Sequence, residues 1–418
     1  MNTSARFTAF YPWSIALIGM LSLMMSNGLT ATGLSVFDPS LLDAYGWSRA
    51  ELKLRDVITF WGAACLAPPV GILLDRVNPK YVLMVGTACL VIGLTGYAYL
   101  PEDPRLALYQ LYAIHLLYAV AVACAGGALV ILLVSSWFVA HRGLALGIAL
   151  VGTSLGSALL PPLNADIIEH QGWRAAFQLN ALLPLLLGVL VLVWVKGFPR
   201  HAGMSAVGQS IQVPDLKTEG LTFAQALRTR TFYAISLSGF LTYFSIFAFL
   251  QHLVLHMNKG LGFTLAESAR AFVLFSTLAM ASKLLAGVLA DRLDRHKVFM
   301  GTLTLMFIGV VCLASMQEAL LWPAVAAIGL GWGGAFTLYS MLAVSNFGLR
   351  EIGRINGVVN FFESVGVGLG SFVTGYLFDV YGSYQVPFAI VAGMVAVSLL
   401  IGTQIRNELA QVAPKKVA

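Results

Sequence analysis

"GWSRAE" at positions 46–51 returns as "GFTLAE" at 262–267, and a second phrase follows each at the same distance, "GILLDR" (71–76) and "GVLADR" (287–292). Gly46 to Asp75 is 29 residues (75 − 46), and so is Gly262 to Asp291 (291 − 262). A gap-free match over such a span is an internal repeat. A later pair agrees: Gly147 to Gly172 and Gly357 to Gly382 are both 25 residues apart (172 − 147; 382 − 357). The chain therefore consists of two homologous halves.

Composition says what kind of halves these are. Of the 418 residues, 58% are hydrophobic and 11% charged, and mean hydropathy is +0.82, whereas charged residues make up about 25% of an ordinary soluble domain. Apolar runs of roughly 20 residues, enough to cross a ~30 Å hydrocarbon core as a helix, recur twelve times. They are expected near 13–36, 52–74, 79–100, 106–138, 142–168, 174–195, 231–257, 266–290, 297–316, 319–346, 352–378 and 384–405. A helix satisfies its own backbone in lipid. The continuous apolar runs lack the alternation of a membrane barrel. The first run is too long for a secretory leader and is read as a retained anchor. An all-α membrane protein of two six-helix bundles follows: 1–195, a linker at 196–230, and 231–418.

Basic residues give the orientation. With the N-terminus inside, 17 of the 25 Lys and Arg fall on the cytoplasmic side, among them Lys217, Lys415 and Lys416. Seven fall outside: Arg49, Lys53, Arg55, Arg105, Arg174, Lys259 and Arg270. Lys283 remains within a span. Both termini are then cytoplasmic. The net charge of +6 needs no nucleic acid to account for it. Residues 221–228 of the linker read as solvated coil or as a short surface helix.

Cys65, Cys89, Cys124 and Cys312 lie singly in apolar spans and read as packing residues. His252 and His256 stack at i, i+4 without a third ligand, so no metal is expected. There is no phosphate-binding glycine loop, no credible nucleophilic triad, and no cofactor or enzymatic activity to expect.

Twelve spans in two halves, with "GILLDRVNPK" after span two and "GVLADRLDRHK" after span eight, resemble the loop signature of the major facilitator superfamily. "WFVAHRGLALGIALVGTSLGSALLPPL" (137–163) resembles the fifth-span signature of its monocarboxylate transporter family. "GWSRAE" and "QHLVLHM" fit bacterial relatives that include the oxalate/formate exchangers. The resemblance implies transport of a small organic anion by a monomer in the cell membrane. It also implies that Lys283 stands where relatives carry an Arg that binds the substrate carboxylate. Glu363 falls where the exchangers are expected to carry a second basic residue, which argues against a dianion.

The repeat separates architecture from substrate chemistry. Asp75 and Arg76 recur as Asp291 and Arg292, and read as conformational latches in which the carboxylate docks on a helix N-terminus. The first repeat offset, 216, places Lys283 opposite Ala67; the later offset, 210, places Glu363 opposite Thr153. Only the second half carries these charges. Each would cost at least ~2.5 kcal/mol at the membrane centre, so a ligand cavity or a mutual ion pair must hold them. In the first case Glu363, when ionised, competes with substrate for Lys283, and protonation removes the competitor. Substrate and proton then travel together. Further cavity candidates are Trp332, Phe336 and Tyr339 at i, i+4, i+7, with Tyr243, Phe247, Asn360, His115, Tyr118 and Asn27.

Glycines at 143, 147, 152, 156, 366 and 370 read as close-approach points, Pro161–Pro162 as a kink, and "GLGWGGAF" in span ten as a bend. The leading expectation is proton-coupled symport of a small monocarboxylate or related organic anion, with two halves rocking about a midplane site. Organic anion exchange, efflux of an amphiphile and a non-transporting membrane sensor are the alternatives.

Overall fold

The structure is a computed structural model describing residues 3–208, 220–348, 350–406 and 408. Lys217, Lys415 and Lys416, used in the orientation count, lie outside the described residues. Sixteen α-helices run in order among the described residues: α1 (Thr3–Asn27), α2 (Asp38–Tyr45), α3 (Arg49–Arg76), α4 (Pro79–Ala98), α5 (Pro104–Ala125), α6 (Gly127–Trp137), α7 (Arg142–Gln171), α8 (Trp173–Trp194), α9 (Pro199–Ala202), α10 (Phe223–Ala226), α11 (Arg230–Leu255), α12 (Leu265–Arg292), α13 (Arg295–Ala314), α14 (Glu318–Phe347), α15 (Ile352–Tyr381) and α16 (Gln385–Gly402). Twelve segments are long and apolar enough to cross a membrane. They coincide with the twelve expected spans to within a few residues at each end.

The repeated phrases turn out to be helix punctuation. Gly46 (φ +66°) and Gly262 (φ +74°) take the left-handed conformation that glycine adopts without strain. Two residues on, Ser48 and Thr264 cap the next helices: Ser48 Oγ accepts from Glu51 N at 3.1 Å and Thr264 Oγ1 from Glu267 N at 3.1 Å. In return Glu51 accepts from Ser48 N at 2.8 Å and Glu267 from Thr264 N at 2.9 Å, completing two capping boxes. The latch phrases end the same way. Asn78 and Asp294, each three residues past its Asp, cap α4 and α13 by accepting from Lys80 N (3.0 Å) and Lys297 N (2.9 Å).

The chain divides into two compact units, Met1–Gln212 with Leu250–Val273, and Val213–Phe249 with Leu274–Ala418. Helices α11 and α12 therefore run from one into the other. In the first unit α7 lies against α1 through small residues: a Cβ on Gly156 would meet Met24 O at 2.5 Å. In the second, a Cβ on Gly366 would collide with Phe240 O in the equivalent α15–α11 contact. The two contacts are related by 210 (366 − 156) and 216 (240 − 24), the same offsets found in the sequence. Only glycine permits such backbone approach.

Three local details follow. Span ten is α14, one continuous helix from Glu318 to Phe347. Its glycines serve packing, because a Cβ on Gly329 would sit 2.8 Å from Phe275 O and one on Gly333 would collide with Ala279 O, both on α12. Helix α7 likewise continues through Pro161 and Pro162. Within 221–228 the only helix is the four-residue α10, held by a Thr222–Gln225 capping box.

Candidate functional site

The Gly329/Gly333 contact decides where Lys283 sits. Residue 283 is one turn beyond Ala279 on α12, and Phe336 is three residues beyond Gly333 on α14, so the two helices bring these side chains together. Lys283 Nζ lies over the Phe336 ring, 4.7 Å from its centroid. Phe336 meets Trp332 edge-on at 5.6 Å, and Trp332 meets Tyr243 of α11 edge-on at 4.9 Å. Tyr243 stands beside the Glu363 carboxyl of α15. A cation and a carboxyl thus stand at the two ends of an aromatic row, all within the second unit.

Glu363 is 8% exposed, and the close passage of α11 explains how it fits there. At Gly239 a Cβ would meet Glu363 Cγ at 3.3 Å and Oε1 at 3.4 Å; a larger residue on α11 would have to displace the carboxyl. The described ion pairs include none between Lys283 and Glu363. An ammonium over an aromatic face gains about 0.5–2 kcal/mol.

The other expected residues fall into three settings. Tyr339 is on the same face as Trp332, but its hydroxyl is within 2.9 Å of Ser238 Oγ and 2.8 Å of Thr242 Oγ1, in a buried polar knot that also takes in Ser398. It ties α11 to α14. Phe247 is one turn from Tyr243 and half-buried, and Asn360 is exposed one turn before Glu363. Asn27 ends α1, ahead of a π-turn at Gly28–Thr32. Asp75, Arg76, Asp291 and Arg292 are all exposed.

His115 and Tyr118 lie in the first unit and are fully buried. His115 Nδ1 is 2.7 Å from Thr59 Oγ1 and Nε2 is 2.6 Å from Tyr97 OH, so both ring nitrogens are occupied. This places them in a polar core rather than in the row of the second unit.

That core holds the feature that the sequence concealed. Lys53 and Arg55, expected among the outer loop cations, are both 0% exposed within α3. Lys53 Nζ and Arg55 Nη2 converge on Asp38 at 2.6 and 2.5 Å, and Arg55 Nε is 3.6 Å from Asp56. Two cations face two carboxylates, so the cluster is neutral without solvent. The loop reading fails because the partner, Asp38, comes from another helix: it opens α2, just after the π-turn and a 3₁₀ turn at Leu34–Val36. Removing these two lowers the outer count from seven to five (7 − 2) and sharpens the charge asymmetry. The charges at 53, 55 and 56, all at the start of an apolar run, were the available signal.

Residues 16–371, 356 of the 418 (371 − 16 + 1), match the family model described as Major Facilitator Superfamily. The chain belongs to the major facilitator superfamily. Curated relatives are distant but extend over most of the chain. An uncharacterized MFS-type transporter of Bacillus subtilis (strain 168) is 23% identical over 415 residues, 96% of each chain. A gallate transporter of Pseudomonas putida is 25% identical over 81% of this chain and 79% of its own. An oxalate:formate antiporter of Oxalobacter formigenes is 24% identical over 82% and 80%. Membership makes this a multi-pass membrane transporter of the superfamily's twelve-helix kind, and the doubled loop signature is its superfamily motif.

Proposed function

We propose that the chain is a secondary active transporter that carries a small monocarboxylate or related organic anion together with a proton, by alternating access. The observation that carries this reading is the row Lys283, Phe336, Trp332, Tyr243, Glu363. A substrate carboxylate takes a charge-assisted hydrogen bond from Lys283, which Phe336 holds in place, and its carbon body lies along Phe336 and Trp332. Glu363 is the buried carboxyl at the far end, where an uncompensated negative charge is costly and a proton removes that cost. Proton and anion then act on one another along the contacts that Tyr243, Trp332 and Phe336 make between the two groups. The charge count supports an orientation with both termini in the cytoplasm of a cell membrane.

The relatives named for gallate and for oxalate and formate support an organic anion. The antiporter among them also keeps exchange in view, as a second reading. Proteoliposomes separate the two. Uphill uptake driven by an inward proton gradient, abolished by collapsing it, is the symport result. Uptake that needs trans anion and ignores the proton gradient is the exchange result.

A further inference from the structure

A cavity of about 530 Å³ opens between α12 and α13. Leu285, Leu289 and Leu293 repeat every four residues along one wall, Gly301 and Leu305 form the other, and Ser282 with Leu330 closes the deep end. Leu285 and Leu293 are 57% and 58% exposed, an arrangement stable against hydrocarbon and not against water. From Ser282 to Leu293 is 11 residues, roughly 16 Å at ~1.5 Å per residue. That is about half a ~30 Å hydrocarbon core, the depth of one leaflet.

The shallow end of the cavity is charged. Asp294 and Lys297 line it. Asp294 caps α13 by accepting the Lys297 backbone N–H at 2.9 Å. The Lys297 ammonium takes part in none of the described ion pairs, and the turn 291–297 holds three basic residues, Arg292, Arg295 and Lys297, against two acids, Asp291 and Asp294. We propose that this groove is a binding site for one anionic glycerophospholipid, with an acyl chain between α12 and α13 and the phosphate on Lys297. An apolar slot of one-leaflet depth ending in an unmatched cation at the membrane surface has the shape and charge of that ligand. The site does not depend on the substrate or coupling ion assigned to the transporter.

The test uses the full chain in nanodiscs of phosphatidylcholine with a minor fraction of phosphatidylglycerol, and lipid retained after detergent extraction is counted by native mass spectrometry. Gly301→Phe fills the slot, and a Cβ at Gly301 has nothing within 4 Å to strike. Lys297→Gln keeps the capped backbone N–H and removes the cation. Asp294→Asn keeps the cap and removes an acid. The wild type should retain one phosphatidylglycerol in preference to phosphatidylcholine. Lys297→Gln should lower that preference about five-fold, the equivalent of ~1 kcal/mol per basic residue at the surface. Gly301→Phe should abolish retention, and Asp294→Asn should preserve or raise it. Equal retention of both lipids by the wild type, or wild-type retention by both Lys297→Gln and Gly301→Phe, overturns the proposal. Displacement of the lipid by a free fatty acid at equal concentration also overturns it, in favour of a soluble amphiphile.

Discussion

Asp38→Asn should be among the most damaging isosteric changes in the protein. Asp38 is fully buried and receives Lys53 at 2.6 Å and Arg55 at 2.5 Å. The cluster Asp38, Asp56, Lys53 and Arg55 sums to zero; the substitution leaves it at +1 with both cations still out of water. Breaking a buried ion pair from one side costs about 3–5 kcal/mol. Neutralising the lysine as well, in Asp38→Asn with Lys53→Met, restores balance by leaving Arg55 with Asp56, and should recover most of the loss. Thermal unfolding followed by fluorescence-detected size exclusion measures all three proteins under one condition. The ordering expected is wild type, then the double variant, then Asp38→Asn. A single variant within about 1 kcal/mol of wild type, or a double variant no better than the single, would refute the charge-balance reasoning and make the contacts incidental.

Gly366→Ala should lower the yield of folded protein, because its Cβ collides with Phe240 O of α11 and overpacking of this kind costs about 1–3 kcal/mol; Gly357→Ala on the same helix, where a Cβ meets nothing within 4 Å, should be neutral in the same expression assay. Phe336→Leu should weaken the placement of Lys283 and raise the apparent KM for the anion about 2- to 30-fold, the range spanned by a cation–π contact of about 0.5–2 kcal/mol. Initial uptake rates at saturating and limiting substrate check this, and an unchanged KM would remove Phe336 from the site.

How much of this was legible in the sequence depended on where the partner of each residue lay. Helix spans were legible because apolar length is a local property, and so were the helix starts at Ser48 and Thr264, whose capping glutamates are three residues away. Lys283 and Glu363 could be singled out because the repeat supplied an internal control. Their relation could not. The sequence reading left a ligand cavity or a mutual ion pair open, and it did not foresee the chain of contacts through Phe336, Trp332 and Tyr243, from α14 and α11. Helical spacing also placed Tyr339 beside Trp332 without revealing that Ser238 and Thr242, a hundred residues away, occupy its hydroxyl. Lys53 and Arg55 misled for the same reason: a cation at the start of an apolar run looks like a loop residue until Asp38 is brought to it by a break in the preceding helix. Glycine was ambiguous in kind, since one pattern serves bending and packing alike, and only the neighbouring backbone distinguishes them.

The central claim is that Lys283 binds the anion and Glu363 carries the proton. The most direct measurement compares counterflow exchange and proton-driven uptake in proteoliposomes for wild type, Lys283→Ala, Lys283→Arg and Glu363→Gln. Lys283→Ala should lose both activities and Lys283→Arg should keep both. Glu363→Gln, a permanent mimic of the protonated acid, should retain exchange and lose accumulation against a gradient. Full uphill uptake by Glu363→Gln would contradict the account, as would wild-type exchange by Lys283→Ala.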